Sequence, residues 1–367
     1  MIRGLVKLIA YTLTAVLLLL YGGALLATVV PPDKAIVFSF LGMALPVVWL
    51  LLVIMLLFWL FNRKWGAALM LAAVIGASVP LWRNTIAIPT GSVLSLTDKP
   101  LKIMTYNVHL FNGYKHYDEI CALIERESPD ILCLQEFGYF NRRAEGDVKE
   151  RELLKRFRKM FPYRHLWYKN SKGTSSNGLA TFSKYPIVKK ENVAYDSKYN
   201  NSIYSDVKVG RDTLRVINNH LESNRLTGEQ RRWAENLITE EFETEEFIAS
   251  TKSVSITLGE ATVRRAAQAA AVGQEVERSP HEVVVCGDFN DVCQSYAYSR
   301  IKGTLLKDAY AEAGRWGYWW TYHENMMYFP IDHILVEKSL PVKEAYVIKE
   351  DFSDHYPLVT VIYMPEE

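Results

Sequence analysis

The spacing of apolar positions divides the chain into two solvents. Leu5 to Val30, Ala35 to Phe61 and Gly66 to Trp82 are nearly uncharged apolar runs. Each is predicted to form a helix able to cross the roughly 30 Å hydrocarbon core of a bilayer, the third at about the minimum length. Pro31-Pro32-Asp33-Lys34 and Asn62-Arg63-Lys64 break the series, and turn formers around Pro89-Thr90-Gly91-Ser92 make 83–100 a linker. From Leu101 onward, short β-branched runs alternate with amphipathic stretches, the pattern of an α/β domain over 101–367.

Within that domain the strand-like runs end on polar side chains. Leu101 to Val108 ends in Asn107, and a helix with Ile120, Leu123 and Ile124 on one face stops at Ser128-Pro129. Asp130 to Glu136 reads as a buried strand closed by a carboxylate, and Glu150 to Met160 as a basic helix. Asn201–Val209 and Asp212–Asn219 are paired strands around Gly210-Arg211, the second running out into His220. Residues 228–280 form a polar, alanine-rich helical insertion whose charges read as a solvated surface. Val283 to Val285 with Cys286 is a buried strand. Gly287 turns it, and Asp288 and Asn290 then leave on the same side. An aromatic run from Trp316 to Tyr328 precedes Asp332, where alternation favours core packing over a stacking surface for bases. Asp354-His355 leads into the last strand.

Composition narrows the field. With 367 residues, 49% of them hydrophobic, the chain can bury a large core, while a net charge of +1 lacks the strongly basic footprint of a dedicated nucleic-acid binder. Lys169, Lys172 and Lys184 flank a candidate rim, although scattered lysines are ordinary solvated surface. Cys121, Cys133, Cys286 and Cys293 are too dispersed for a CxxC metal site and too few for a disulfide scaffold. Cys133 and Cys286 read as buried thiols. Arg3, Lys7, Arg63 and Lys64 place the N-terminus and the second break in the cytoplasm, Lys34 dissenting. Three crossings then put the domain in the periplasm or cell exterior, as a multi-pass inner-membrane protein. A cleaved signal peptide over the first run leaves two further runs unexplained.

Each polar strand end alone has an ordinary explanation, a solvated carboxylate or an Asx-capped turn. Together, MTYNV (104–108), DILCLQE (130–136), SNGLATFSKYPI (176–187), NNHLES (218–223), VVVCGDFND (283–291), IDHILV (331–336) and SDHYPL (353–358) resemble the endonuclease/exonuclease/phosphatase superfamily. Its members include pancreatic deoxyribonuclease, abasic-site endonucleases, neutral sphingomyelinases and inositol polyphosphate phosphatases. The resemblance spans Leu101 to Ile362 and leaves out the apolar runs.

The resemblance implies a four-layer α/β sandwich of two packed mixed sheets with outer helices, preceded here by three transmembrane helices. It implies Mg²⁺, with Mn²⁺ as a substitute, held by Glu136 with Asn107 beside it and Asp354 near a second position. By the same resemblance His355 is the general base and Asp332 fixes its tautomer. Asp288 orients or deprotonates the attacking water, and Asn290 and His220 contact the phosphate. Phosphodiester hydrolysis calls for such groups: a hard cation, a base, and donors to the developing charge. The expected substrate is a nucleic acid; a phospholipid or phosphoinositide head group is the alternative, and a non-catalytic binding module attached to membrane lipid the third reading.

Overall fold

The computed structural model describes residues 2–88, 99–139, 143–168, 176–236, 243–324 and 328–364; Lys169, Lys172 and most of the expected linker lie outside them. Four helices open the chain: α1 (Ile2–Leu26), α2 (Ile36–Phe61), α3 (Trp65–Ala77) and α4 (Val79–Trp82). The strand β1 (Ile86–Ala87) leads to β2 (Lys99–Asn107), a left-handed turn counted as α5 (His109–Gly113), α6 (Tyr117–Glu127), β3 (Ile131–Tyr139) and α7 (Arg143–Phe157). Strands β4 (Tyr163–Tyr168), β5 (Ser176–Ser183), β6 (Ile187–Asn192), β7 (Asn201–Val209) and β8 (Asp212–His220) follow. After α8 (Gly228–Asn236) and α9 (Thr244–Glu277) come β9 (Glu282–Asp288), α10 (Tyr296–Lys302), β10 (Leu306–Asp308), α11 (Ala309–Ala313) and β11 (Gly317–Tyr318). The chain closes with β12 (Asp332–Glu337), β13 (Val342–Val347) and β14 (Leu358–Met364).

Two six-stranded sheets pack face to face, the first ordered β13-β14-β2-β3-β5-β4 and the second β10-β12-β9-β8-β7-β6. Each contains one parallel pair, β2 with β3 and β8 with β9. Parallel neighbours finish at the same edge, so Asn107 ends beside Gln135 and His220 beside Asp288. Strand alternation explains the layering. Val284 and Cys286 face the opposite sheet, whereas Val283 and Val285 face the layer of α9 and α10. In the other sheet Ile131 and Cys133 point to the shared core, and Leu132 and Leu134 to α6 and α7. Each such aliphatic side chain contributes about 1.5–3 kcal/mol when fully buried. The result is the four-layer sandwich. All four cysteines are free and buried. The Cys286 thiol is pushed well up, first by its hydrogen bond with Cys133 and then by burial.

The N-terminal helices pack as a hairpin. Trp59 Nε1 donates to Thr14 Oγ1 at 3.0 Å, and Leu17, Leu45 and Leu52 lie between the helices. Outward, Leu8, Leu19, Val47 and Leu57 are 64%, 76%, 62% and 59% exposed, a continuous apolar surface that suits lipid rather than water. The segment Gly4–Leu26 and helix α2, with 23 and 26 residues, are long and apolar enough to span a bilayer. The third run departs from expectation. Its helix α3 has 13 residues, about 20 Å at 1.5 Å each, which is short of the hydrocarbon thickness. Ser78 bends between α3 and α4 and Pro80 lacks an amide hydrogen, so the run divides there. Among the described residues there are therefore two candidate spans, not three.

The aromatic run also differs from the expected core packing. Of its members Trp319 is buried, stacked on Tyr310, while Trp316 and Tyr318 are 79% and 46% exposed. A two-residue strand, β11, cannot sustain the alternation that would bury every second ring.

Candidate active site

The second sheet sets three groups in a row. His220, Asp288 and Asp332 are register partners across β8, β9 and β12, so their side chains leave the sheet together. Gly287 sits between strand and loop with φ +129°, and a Cβ there would overlap the Asn219 backbone. Only glycine lets β9 run this close to β8 at the site. Asp288 accepts from the Asn290 backbone N–H at 2.7 Å and from Asn290 Nδ2 at 3.1 Å. Asn290 Nδ2 also donates to Leu221 O at 3.0 Å, tying the turn to the His220 segment. His355 arrives from the loop before β14. Its Nδ1 lies 2.7 Å from Asp332 Oδ2, its Nε2 3.8 Å from Asp288 Oδ2, and the Tyr322 ring packs edge-on against it.

The first sheet contributes less regular backbone. The β3–β5 register shifts between Gln135 and Phe137, and Glu136, at φ +49°, is turned out of the pleat by that bulge. Its side chain is one quarter exposed. Asn107 Nδ2 donates to Asp288 Oδ2 at 3.0 Å and to Glu136 Oε1 at 3.4 Å, while its Oδ1 accepts from the His109 N–H at 3.1 Å. Asn107 thus offers the carboxylates an NH₂ rather than an oxygen to a cation, and ligation through Oδ1 requires the amide to turn over. Beyond it, His109 through Asn112 all have positive φ, a left-handed turn rarely seen outside functional loops. That turn sets His109 Nδ1 3.2 Å from Asp354 Oδ1.

Burial sorts the charges. The Asp288 carboxyl is raised to about 6, first by its burial and further by the negative charge of Asp332, against the pull of His355 and His220. Burial works against a charged His355, but Asp332 and Asp288 outweigh it and hold the imidazolium well above the usual histidine range. The hydrogen bond that His109 donates to Asp354 raises its imidazole to about 9. Burial alone would raise the Asp354 carboxyl, but its hydrogen bond with His109 and the nearby His355 drive it well below the carboxylate range.

The arrangement fits a divalent cation and a phosphate. Glu136, Asp288 and Asp354 are hard oxygen donors at one edge of the sandwich. His220 Nε2 is buried without a hydrogen-bond partner and lies 3.7 Å from both Glu136 Oε1 and Asp288 Oδ2. A buried ring nitrogen facing two carboxylates is costly unless a ligand engages it. A second group of potential ligand atoms, from Asp288, Asp332 and His355, lies within 4.8 Å. The Asp332–His355 hydrogen bond already occupies that trio, which suits proton handling better than cation binding.

All the expected site residues, Asn107, Glu136, His220, Asp288, Asn290, Asp332, Asp354 and His355, meet at this end. Lys184 does not: it binds Asp130 and Ser128, where β3 begins, at the opposite end from Glu136. Sequence reasoning overlooked His109, and it left Gln135 and Asn218 without a role. Gln135 Nε2 donates to Asn218 Oδ1 at 2.7 Å and Asn218 Nδ2 to Ala180 O at 3.1 Å, joining the two sheets beneath the site. The available signal was a polar residue in an otherwise apolar strand, Gln135 directly before Glu136 and Asn218 two positions before His220. The insertion charges were also underestimated, because Arg265 is 3% exposed and pairs with Asp291 at 3.2 Å.

Comparison with known proteins agrees with this geometry. A family model described as Endonuclease/Exonuclease/phosphatase family matches residues 104–355, and a second, described as a domain of unknown function, matches residues 5–85. No curated protein matches significantly by sequence. Among solved structures, the endonuclease/exonuclease/phosphatase from Beutenbergia cavernae superposes with TM-score 0.52 at 18% identity, over 72% of each chain. D. rerio TDP2 complexed with single strand DNA product superposes with TM-score 0.51 at 15% identity, over 73% of this chain and 100% of that one. These likenesses show the shared fold, while the family match covers most of the chain and all the site segments. The chain therefore belongs to the Endonuclease/Exonuclease/phosphatase family and is a phosphoric ester hydrolase.

Proposed function

We propose that this protein is a membrane-anchored phosphodiesterase that depends on a divalent cation and acts on nucleic acid. The observation that carries the reading is the row His220–Asp288–Asp332, with Glu136 and His355 converging on it. Glu136, assisted by Asp354, holds the cation, with Mg²⁺ favoured by the all-oxygen character of these groups. A divalent cation held there would supply Lewis-acid stabilisation of the charge that develops on the phosphate and its leaving group.

The chain's own residues handle the proton and the remaining charge. Asp288, with a carboxyl near 6, is ionised at neutral pH and takes a proton from the attacking water. His355, kept cationic by Asp332, donates from Nε2 to a phosphoryl oxygen, an electrophilic role in place of the base role implied by family resemblance. His220 Nε2 supplies a further donor to the phosphate, Asn290 Nδ2, whose two hydrogens go to Leu221 O and Asp288, braces that carboxylate instead, and Asn107 keeps Asp288 and Glu136 in register.

The nucleic-acid reading draws on the fold shared with a protein solved with a single-strand DNA product. The contact of helix α2 with the loop after Asp288 favours a second reading, hydrolysis of a lipid head group: a Cβ at Gly42 would approach Gln294 O to 3.2 Å. Purified protein with Mg²⁺ is expected to cleave DNA or RNA, with loss on chelation and in Asp288→Asn. Head-group release from phospholipid without nucleic-acid cleavage selects the second reading, and no hydrolysis of either with any divalent cation overturns both.

A further inference from the structure

Helix α9 lies against the outer end of α2. A Cβ added at Gly259 would stand 3.5 Å from Ile36 and 4.0 Å from Phe40. Between the two helices runs a cleft of about 600 Å³ lined by Ile36, Phe40, Lys252, Ile256, Val263 and Arg264 among others. The same face of α9 leaves Ile248, Ile256 and Val263 at 60%, 53% and 37% exposure, a stripe repeating every seven or eight residues. A water-facing helix has no use for such a stripe.

Length accounts for its neighbour. The 26 residues of α2 measure about 39 Å at 1.5 Å each, roughly 9 Å more than the hydrocarbon core requires. Arg63 and Lys64 hold the far end at the polar boundary, so the surplus falls at Ile36 to Leu41, where α9 packs, with Gln294 against the adjoining Gly42. The cleft is therefore at head-group depth and continuous with the exposed apolar surface of α2, represented by Val37 and Val47 at 53% and 62% exposure. Lys252 flanks it as a cation suited to lipid phosphate, while Arg264, also at its edge, pairs with Glu260 Oε2 at 3.2 Å.

From this placement we infer that the exposed stripe of α9 is seated in the bilayer interface, with Ile248, Ile256 and Val263 in the acyl boundary. The inference rests on the membrane-anchor reading above and adds a second, non-spanning contact. It also gives the insertion a task near the chemistry. One helical turn beyond the cleft, Gln268 Oε1 accepts from the Glu222 N–H at 2.7 Å. Arg265 donates to Glu222 O at 2.8 Å and pairs with Asp291, three residues after Asp288. The bilayer contact and the catalytic loops thus share one helix.

The test uses the full chain in nanodiscs of phosphatidylethanolamine and phosphatidylglycerol. An environment-sensitive fluorophore is attached at Ile256→Cys, Ile248→Cys, Leu57→Cys or Asp212→Cys, with lipids carrying bromine in their acyl chains as quenchers. The native cysteines are buried, and retained metal-dependent hydrolysis shows that each labelled chain is folded. The inference requires quenching at Ile256 and Ile248 several-fold above that at Asp212, in the β7–β8 turn, together with quenching at Leu57. Quenching at Leu57 with Ile256 behaving like Asp212 overturns the seating and leaves the anchor intact. Absence of quenching at every position overturns both, and disulfide-linked dimers through Ile256→Cys without quenching assign the stripe to a second copy instead.

Discussion

The two sheets build the site by different means. The second holds His220, Asp288 and Asp332 in strand register, each at most 4% exposed, with Asp332 fixing His355. The first reaches in through a bulge at Glu136 and a left-handed turn at His109, leaving those side chains 25% and 45% exposed. Regular, buried backbone holds protons at set energies because desolvation and neighbouring charge control the titration. Irregular, half-exposed backbone presents oxygen donors at an angle that a pleated strand does not offer, at a cost of about 1–3 kcal/mol for each residue in a strained region. In the proposed mechanism the buried second sheet thus carries most of the proton handling, joined by His355 from the loop before β14, while the more exposed oxygen donors come from the first.

The strongest way to break this division is Asp288→Asn. Loss of the base lowers kcat by about 10²–10⁴-fold, and the amide relieves a buried carboxylate, so thermal stability at neutral pH is retained or raised. Paired kinetics and thermal melting check both halves, and near-normal turnover removes Asp288 from the mechanism. Glu136→Gln is expected to reduce activity mainly by weakening the cation, so a titration with Mg²⁺ recovers part of the lost rate, whereas no Mg²⁺ concentration rescues Asp288→Asn.

Asp288 and His355 set the two limbs of the pH profile. With Asp288 near 6, activity rises as pH increases through about 6, because its carboxylate is the active form. His355 is raised above its ordinary value, so its donor role persists through neutrality and fails only as pH climbs further. Asp332→Asn removes a negative charge from both, and both limbs of the kcat/KM profile are expected to move to lower pH. Limbs that stay in place disconnect Asp332 from the titration. A smaller effect is expected for His109→Ala, a several-fold loss accompanied by a lower apparent affinity for the cation, since Asp354 loses its partner. Lys184→Ala should leave kcat/KM unchanged and lower stability by about 0–1 kcal/mol, as its ion pair lies at the far end of the sheet.

Local order explains why so much of this was legible beforehand. Strand-forming runs such as Val283 to Val285 carry their own period, and a polar residue at each strand end marks the edge where the side chains emerge. Those signals gave the alternation of strands and helices and the polar strand ends, and the resemblance carried by the combined motifs then singled those ends out as a candidate site. Residues acting through distant partners gave no such signal. Arg265, within an alanine-rich helix, reads as a solvent charge until Asp291 is brought beside it, and His109 has a role only because its turn is left-handed.

The membrane segment divides the same way. Composition alone marked apolar runs too long for a soluble core, since transfer to lipid depends on the residues themselves. Whether the third run is one helix was decided by a bend at Ser78 and a proline at 80, and the seat of α9 on α2 by packing between residues more than two hundred positions apart. The amino-acid sequence by itself determined which residues are apolar, which are catalytic in type, and where strands end. Only the tertiary structure decided which charges share a low-dielectric space, because Coulomb and desolvation energies depend on distance and burial rather than on order along the chain.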